Sequence, residues 1–403
     1  FFYWYGDNRD LHSFPPRRSS DLLLSISTAK KGEIIVDPFC GSGTTMVAAI
    51  MSGYNAIGID VNPMSIAVSE VKTTRYNDKI LSEVKESLDN LDLDYVSIEE
   101  SEINDYYSRY FQPKLYRQVK QIKNYIQSIN NTQVQNILHT ALMCIIEDVS
   151  DRKRDGNGLK VSISNVEDAI LLFRKKVNNI LCDMKMALPK ISGESHCFVG
   201  TAVELDRYVK EASLKKPISV GAIIFSPPYA NSFDYFESYK LELALGDFLD
   251  EKTSIRSLRN NAVYSFVGGN LKSNMYTDYY VELLAKEIVM AIPEKEAQTG
   301  KKDQRTRKVP SMIVGYFSDM FRVIEKCYSV LEPGKQTYIV VDQSSYLGKI
   351  VPSDLLFAYY GEKIGFKVKE VIVCRPSKTS GQQLQKYPYL KDSLRESIVV
   401  LEK

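Results

Sequence analysis

The segment Ile34–Thr45, with the sequence IIVDPFCGSGTT, constrains the fold more than any other part of the chain. Its apolar run is typical of a buried strand that ends at Asp37, and the residues that follow form a glycine-rich turn. Residues 44–52 predict a helix, and Ala56–Asp60 predicts a second buried strand. A strand, a helix and a second strand at this spacing predict a βαβ unit, and therefore an α/β fold with a parallel sheet.

The turn after Asp37 is suited to binding a small ligand through its main chain. Gly41 and Gly43 allow positive φ angles and close approach of a ligand, at the strand end where open α/β sheets bind ligands. No lysine precedes the hydroxyl residues, so a nucleoside triphosphate loop is not indicated. Asp60, seventeen positions beyond Gly43, is placed at a strand tip where a carboxylate can accept both hydroxyls of a ribose. These features predict a nucleoside-bearing cofactor, either NAD or S-adenosylmethionine.

A second motif, FSPPY, begins at Phe225, the end of another apolar run. Its two prolines fix the backbone and remove two amide donors, which leaves carbonyl groups able to accept hydrogen bonds. Ser226 adds a hydroxyl group, and Tyr229 adds an aromatic face. An exocyclic amino group of a nucleobase requires acceptors for its hydrogens and a ring on which the base can stack. The motif therefore predicts a binding site for a base amine.

Together the two motifs resemble those of the amino-group DNA methyltransferases that use S-adenosylmethionine. DPFCGSGTT is similar to motif I of that family, IDVNP to motif II, GTAVEL to motif III and SPPY to motif IV. The serine form of motif IV resembles most closely the enzymes that methylate the N4 amino group of cytosine. The resemblance implies a Rossmann-like methyltransferase fold, with a mostly parallel sheet, an antiparallel C-terminal hairpin and a helical insertion. It also associates the chain with restriction–modification.

The resemblance implies a role for each matching residue. The residues implied to bind S-adenosylmethionine are Asp37, Pro38, Phe39, Cys40, Gly41, Ser42, Gly43, Thr44, Asp60 and Thr201. Many relatives have an aspartate at the position of Thr201, so its contact with the adenine amino group is the least certain of these. The residues implied to be catalytic are Ser226, Pro227, Pro228 and Tyr229. The implied reaction is a direct displacement, in which a base rotated out of DNA is held by the SPPY motif while its amine receives the methyl group.

Other functions remain compatible with the same motifs. The chemistry of the SPPY loop suits any exocyclic nitrogen, so N6-adenine methylation and methylation of an RNA base amine stay open. A catalytically silent DNA-binding subunit with the same fold is a further alternative. Methylation at cytosine C5 resembles a different family and requires a cysteine after a proline, and none of the six cysteines has that position. Cys40 is most simply a small packing residue.

The periodicity and composition of the sequence change along the chain, and these changes predict its domain boundaries. Residues 1–22 have neither helical nor strand periodicity and are expected to be a non-native or disordered leader. Residues 23–75 and 196–403 are expected to form the methyltransferase domain. Residues 76–195 carry long, charged segments of period 3.6 and predict a helical insertion, which is a candidate target-recognition region.

Several basic segments of the chain are candidates for contacting DNA. The segment DRKRDGNGLK reads as a basic turn, in which Arg152, Lys153 and Arg154 are the preferred nucleic-acid contacts. Three further basic or polar candidates are residues 254–261, 301–308 and 375–383. The aromatic residues of 231–239 are expected to line the pocket of a flipped base in part.

Composition narrows the remaining possibilities. The chain has 52 basic and 50 acidic residues and a formal charge of +2, so a DNA-binding surface must be a local patch. Six cysteines without a CxxC pair, together with three histidines, predict neither a metal site nor a disulfide framework, and favour a reducing cytoplasm. No apolar run approaches the ~20 residues that a membrane span requires. The expected partner is DNA, and the oligomeric state is not predicted.

Overall fold

The strands of the protein form one large sheet and two small hairpins. The computed structural model describes residues 23–92, 96–155, 158–214, 218–250, 253–268, 275–377 and 381–403. The strands are β1 Ile34–Asp37, β2 Asn55–Asp60, β3 Arg152–Asp155, β4 Gly158–Val161, β5 Ser195–Val199, β6 Val220–Phe225, β7 Gln336–Asp342, β8 Ser344–Tyr346, β9 Lys349–Val351, β10 Lys367–Pro376 and β11 Arg395–Glu402. Seven of them form the large sheet in the order β10-β11-β7-β6-β1-β2-β5, while β3 pairs with β4 and β8 pairs with β9.

The sheet brings the two sequence motifs together. β1 pairs in parallel with β2 on one side and with β6 on the other, with Val36 opposite Ile57 and Ile223. The chain after β1 continues to β2 on one side, whereas the chain after β6 continues to β7 on the other side. This reversal creates a topological switch point between β1 and β6 at the carboxyl edge of the sheet. The loops that follow β1 and β6 are neighbours at this edge, although they are far apart in the sequence.

The far side of the sheet ends in antiparallel strands. β10 pairs antiparallel with β11, and β11 pairs antiparallel with β7. The remaining neighbours, from β7 to β5, are parallel. The predicted fold class, a Rossmann-like methyltransferase sheet with an antiparallel C-terminal hairpin and a helical insertion, is confirmed.

Helices cover both faces of the sheet and form the insertion. They are α1 Thr44–Met51, α2 Pro63–Thr73, α3 Asp78–Asp89, α4 Glu100–Ile103, α5 Pro113–Gln127, α6 Thr132–Val149, α7 Ala169–Ala187, α8 Leu205–Ser213, α9 Tyr235–Ser238, α10 Lys240–Leu245, α11 Ile255–Asn261, α12 Tyr279–Thr299, α13 Val309–Val330, α14 Ser353–Ile364, α15 Gly381–Lys386 and α16 Leu390–Ser393. Four 3₁₀ turns are Ser108–Tyr110, Leu188–Lys190, Ala202–Glu204 and Thr306–Lys308.

Successive residues of the central strands supply two separate cores. Ile34 and Val36 pack in a cluster with α8, α13 and α14, whereas Ile35 packs in the opposite cluster with α1. This alternation follows from the two-residue period of a strand, and burial of both faces explains why β1 is entirely apolar up to Asp37. The rigid layers hold the carboxyl edge of the sheet in place.

The helices between β2 and β5 form a further core away from the sheet. Their apolar faces, including Val84, Val119, Ile145 and Val177, pack in one cluster. The hairpin β3–β4 projects from the end of α6 in this region. That this region is a separate target-recognition domain stays a prediction, and residues 1–22 lie outside the described part of the chain. Within the described ranges, no helix combines the length and apolar character needed to cross a bilayer.

Candidate active site

The glycine loop, residues 38–43, turns sharply between β1 and α1. Gly41 has φ 49° and Gly43 has φ 77°, which are left-handed values that glycine adopts without strain. A Cβ atom at Gly43 would lie 2.7 Å from the Ser69 Oγ and 3.1 Å from the Ser69 Cα, so no other residue fits there without a shift. The loop is therefore a close fit against α2, and its glycines have the positive φ angles that the sequence pattern predicts.

Two side chains of α2 support the glycine loop from behind. The Ser69 hydroxyl donates to the Gly41 carbonyl at 2.9 Å, and the Lys72 ammonium donates to the Ser42 carbonyl at 3.0 Å. Both side chains are buried. Sequence reasoning missed these residues, and the available signal was a lone lysine on the apolar face of a helix, three positions after a serine.

Asp60, at the tip of β2, supports the glycine loop from the side. One carboxylate oxygen accepts from the Gly41 N–H at 3.0 Å, and the other accepts from the Asn62 N–H at 2.8 Å. Burial raises the pKa of Asp60 to about 6, while the two amides oppose the rise. Since a carboxylate can accept about four hydrogen bonds, capacity remains for the two hydroxyls of a ribose.

Asp37, at the tip of β1, is buried beneath the glycine loop at 1% exposure. Its Oδ1 accepts from the Phe39 N–H at 3.0 Å, whereas its Oδ2 is buried without a hydrogen-bond partner among the described residues. Burial raises the pKa of Asp37 to about 7; hydrogen bonding from Thr45 and from the Phe39 amide opposes the rise, and the negative charge of Asp60 adds to it. An unpaired buried carboxylate oxygen fits a cationic donor such as an ammonium group.

The SPPY loop, Ser226–Tyr229, leaves β6 at the same edge. The Ser226 hydroxyl donates to the Tyr229 hydroxyl at 3.3 Å, which leaves the lone pairs of the Ser226 oxygen as acceptors. Burial raises the pKa of the Tyr229 phenol well above its usual value. Two positions beyond the buried Ala230, Ser232 adopts φ 62°, a strained conformation for a residue with a side chain. The Tyr346 hydroxyl anchors this segment by donating to the Ala230 carbonyl at 3.0 Å.

The two loops share one cavity of about 640 Å³, within the range of small-molecule sites. Phe39 also packs against Phe225, with ring centroids 5.6 Å apart. Of the residues predicted to form the site, the cavity is lined by Pro38, Phe39, Gly41, Ser42, Thr44, Asp60, Thr201, Ser226, Pro227, Pro228 and Tyr229. Asp37, Cys40 and Gly43 lie behind the wall. Cys40 is buried and packs close to Gly58, which agrees with a packing role.

The cavity wall also carries polar and aromatic groups that fit a nucleoside and a base. The Thr201 Oγ is buried without a hydrogen-bond partner among the described residues, so it is available to a polar ligand atom. Opposite the glycine loop, the aromatic residues of 231–239 that line the cavity are Phe233, Tyr235, Phe236 and Tyr239. These groups fit S-adenosylmethionine beside a flat base.

The basic segment of the insertion forms a hairpin rather than the expected turn. Backbone pairing joins Arg152 to Val161 and Arg154 to Leu159. Arg154 bonds to Glu147 at 2.8 Å and to Glu242, and its guanidinium lies over the Tyr239 ring at 4.3 Å. Lys153 and Arg154 line the cavity, whereas Arg152 lies over the Tyr110 ring at 4.9 Å.

The other basic candidates are largely paired within the protein. In residues 254–261, Arg259 bonds to Asp234 and Glu237. In residues 301–308, Arg307 bonds to Glu296. In residues 375–383, Arg375 bonds to Glu396 at 2.7 Å, and positions 378–380 lie outside the described residues. Within the described ranges, no group of histidine, cysteine and acidic side chains could hold a metal ion.

A parallel sheet with a glycine loop, an acid at the tip of the second strand and an SPPY loop on one cavity defines a Rossmann-like methyltransferase. Comparison with known proteins finds similar sequences among DNA methyltransferases. The family model described as DNA methylase, N6_N4_Mtase, matches residues 13–71. The resemblance to the amino-group DNA methyltransferases is therefore confirmed, and it extends to full-length relatives.

Two such relatives are similar over most of their lengths. The Type II methyltransferase M.BsoBI of Geobacillus stearothermophilus is 27% identical, over 100% of this chain and 87% of its own. The Type II methyltransferase M.AvaI of a Nostoc species is 28% identical, over 93% of this chain and 81% of its own. A crystal structure of an rRNA methylase from Streptococcus thermophilus covers 97% of this chain and 98% of its own, at 10% identity and a TM-score of 0.33.

Proposed function

We propose that this protein transfers a methyl group from S-adenosylmethionine to the N4 amino group of a cytosine rotated out of DNA. The observation that carries the proposal is the shared cavity, because Gly41 and Pro227 both line it. A methyl donor on the glycine loop and a base amine on the SPPY loop would meet inside it. The DNA methylase family match and the two Type II relatives support DNA as the substrate.

On this proposal, Asp60 accepts the ribose hydroxyls of S-adenosylmethionine, and the unpaired oxygen of Asp37 accepts from its ammonium group. Thr201 offers its unpartnered hydroxyl to the adenine. When bound, S-adenosylmethionine supplies an electrophilic methyl group on a sulfonium. The glycine loop fixes that methyl group in place, because Ser69 and Lys72 hold the loop's carbonyls from behind.

The SPPY loop orients the amine. The Ser226 oxygen and the Pro227 carbonyl accept its two hydrogens, which favours a pyramidal nitrogen whose lone pair points towards the methyl group. Tyr229 stacks on the base. The nitrogen forms a bond to the methyl carbon as the carbon–sulfur bond breaks, so that the sulfonium leaves as a neutral thioether, and the methylated nitrogen then loses its proton to solvent water. Catalysis on this account comes mainly from positioning and electrostatics, and no covalent bond to the protein is needed.

The experiment is methylation with labelled S-adenosylmethionine, using plasmid DNA and transfer RNA as substrates, followed by digestion to nucleosides. Label in N4-methylcytosine from DNA is the expected result. Label in N6-methyladenine would change the target base and leave the chemistry in place. Calorimetry with S-adenosylhomocysteine separates an enzyme from a silent subunit, since a silent subunit gives no heat of binding. Cofactor binding without transfer to any nucleic acid would contradict the proposal.

A further inference from the structure

The hairpin β3–β4 places two lysines directly opposite each other at the cavity. Lys153 on β3 and Lys160 on β4 are cross-strand partners, and both line the cavity that contains the glycine and SPPY loops. Cross-strand partners point to the same face, with Cβ atoms about 5 Å apart. The hairpin therefore presents two ammonium groups side by side at the rim of the candidate active site.

The opposite face of the hairpin attaches it to the protein. The guanidinium of Arg154 bonds to Glu147 and Glu242, and its Nε donates to the Ser238 carbonyl at 3.3 Å. Its side chain is only 16% exposed, and Glu242 is buried. Leu159, the cross-strand partner of Arg154, packs against the core of the insertion. Arg154 thus joins the hairpin to α6 and α10, and its positive charge is paired with Glu147 and Glu242 inside the protein.

The two lysines have weaker attachments. Lys153 bonds to Asp148 at 3.1 Å, and Lys160 bonds to Asp155 at 3.3 Å. These pairs are solvated, with Asp148 49% and Asp155 60% exposed at the side chain, and solvated pairs contribute little to stability. Like charges directly opposite each other on a sheet are unfavourable. A single anion between the two ammonium groups would remove that repulsion.

We propose that Lys153 and Lys160 together bind a backbone phosphate of the DNA strand whose base enters the cavity. This inference rests on the proposed function, because it takes the target base to lie within reach of the SPPY loop. A phosphodiester carries one negative charge and accepting oxygens, which match two adjacent ammonium groups. The contact fixes the position of the strand at the rim without reading its sequence. It also assigns the phosphate contact to Lys153 and Lys160 rather than to Arg152 or Arg154.

The test measures binding of labelled duplex DNA at a series of salt concentrations, with S-adenosylhomocysteine present. The proteins compared are the unchanged protein, Lys153→Gln, Lys160→Gln and the double variant. Lys85→Gln is the matched control, since Lys85 is 51% exposed at the side chain and bonds to Asp89 at 2.8 Å on α3, away from the cavity. Each phosphate that the protein neutralises steepens the dependence of log affinity on log salt by about 0.9 for duplex DNA.

The double variant is expected to show a salt slope shallower by about 1, with affinity at low salt reduced about 10-fold or more. Lys85→Gln is expected to match the unchanged protein. Binding of S-adenosylhomocysteine is expected to be the same in all variants, which shows that the cofactor site is intact. A double variant with normal cofactor binding and an unchanged salt slope overturns the inference while the proposed function stands. An unchanged protein that neither binds duplex DNA nor methylates it overturns both.

Discussion

Replacing Asp37 by asparagine is expected to have opposite effects on two properties: it stabilises the folded protein and weakens its proposed binding of cofactor. Asp37 is 1% exposed, and burial raises its pKa from 3.8 to about 7. Since one pKa unit corresponds to about 1.4 kcal/mol, keeping this carboxylate ionised costs the folded protein roughly 4 kcal/mol above pH 7. The folded state binds more protons than the unfolded state between these two pKa values. Stability from this group therefore falls as the pH rises from about 4 to about 7, and then becomes level.

Asp37→Asn removes that ionisation. The free energy of unfolding of the variant, relative to the unchanged protein, is expected to grow by roughly 2–3 kcal/mol between pH 5 and pH 8. The absolute gain at pH 8 is expected to be smaller than the full 4 kcal/mol, because an unpaired asparagine amide costs about 1–3 kcal/mol. Thermal or denaturant unfolding at the two pH values measures the change. Asp89→Asn, at an acid 57% exposed at its side chain, serves as the control and is expected to leave the pH dependence unaltered.

The same variant is expected to bind S-adenosylhomocysteine more weakly. A hydrogen bond to a charged group contributes about 1.5–3 kcal/mol, so the affinity is expected to fall roughly 10- to 150-fold. Calorimetry at pH 8 measures the loss. Parallel stability profiles for the variant and the unchanged protein would refute the account of the buried carboxylate, and equal cofactor affinity would refute its role at the ligand.

Four further substitutions, two of them with a matched control, test other parts of the cavity and its surroundings. Gly43→Ala is expected to abolish cofactor binding, because the new Cβ would lie 2.7 Å from the Ser69 Oγ. Its control is Gly32→Ala, at φ 84° with open space around it, which is expected to cost only about 1–2 kcal/mol of stability and to leave cofactor binding intact. Calorimetry measures the binding, and unfolding measures the stability. Ser226→Ala is expected to lower turnover about 10- to 150-fold and to leave cofactor affinity nearly unchanged. Asp60→Ala is expected to weaken cofactor affinity strongly and to leave turnover nearly unchanged. Equal losses of turnover and affinity in either variant would contradict this division of roles. Arg154→Met is expected to destabilise the protein by roughly 3–5 kcal/mol, because it leaves the buried Glu242 unpaired. Arg207→Met, at an exposed pair with Glu204, is expected to cost less than about 1 kcal/mol in the same unfolding assay.

The central strands and their loops could be predicted because their signals are local. β1, β2 and β6 are largely apolar; β1 and β2 end at the acids Asp37 and Asp60, and β6 leads into the SPPY loop, whose prolines limit what the backbone can do next. The meeting of the two loops also follows from the sheet order of an α/β fold. These are properties of short segments, so one sequence is sufficient to recognise them.

The remaining features depend on contacts between distant segments. β5 mixes polar and apolar residues because it is an edge strand, and it carries little periodic signal. The segment RKRD reads as a solvated turn, yet it pairs with β4, and its Arg154 is fixed by Glu242, a residue of α10. Ser69 and Lys72 support the glycine loop only through the tertiary packing of α2. Likewise, sequence alone does not indicate that Asp37 lies buried behind the glycine loop while Asp60 lines the cavity.

The most direct measurement is a crystal structure of the protein with S-adenosylhomocysteine bound. The account predicts that the ribose lies against Asp60, the amino group approaches the buried oxygen of Asp37, and the sulfur faces the Ser226 hydroxyl across the shared cavity. A ligand bound elsewhere, or bound with its sulfur turned away from the SPPY loop, would contradict the proposal that methyl donor and base amine meet between the two loops.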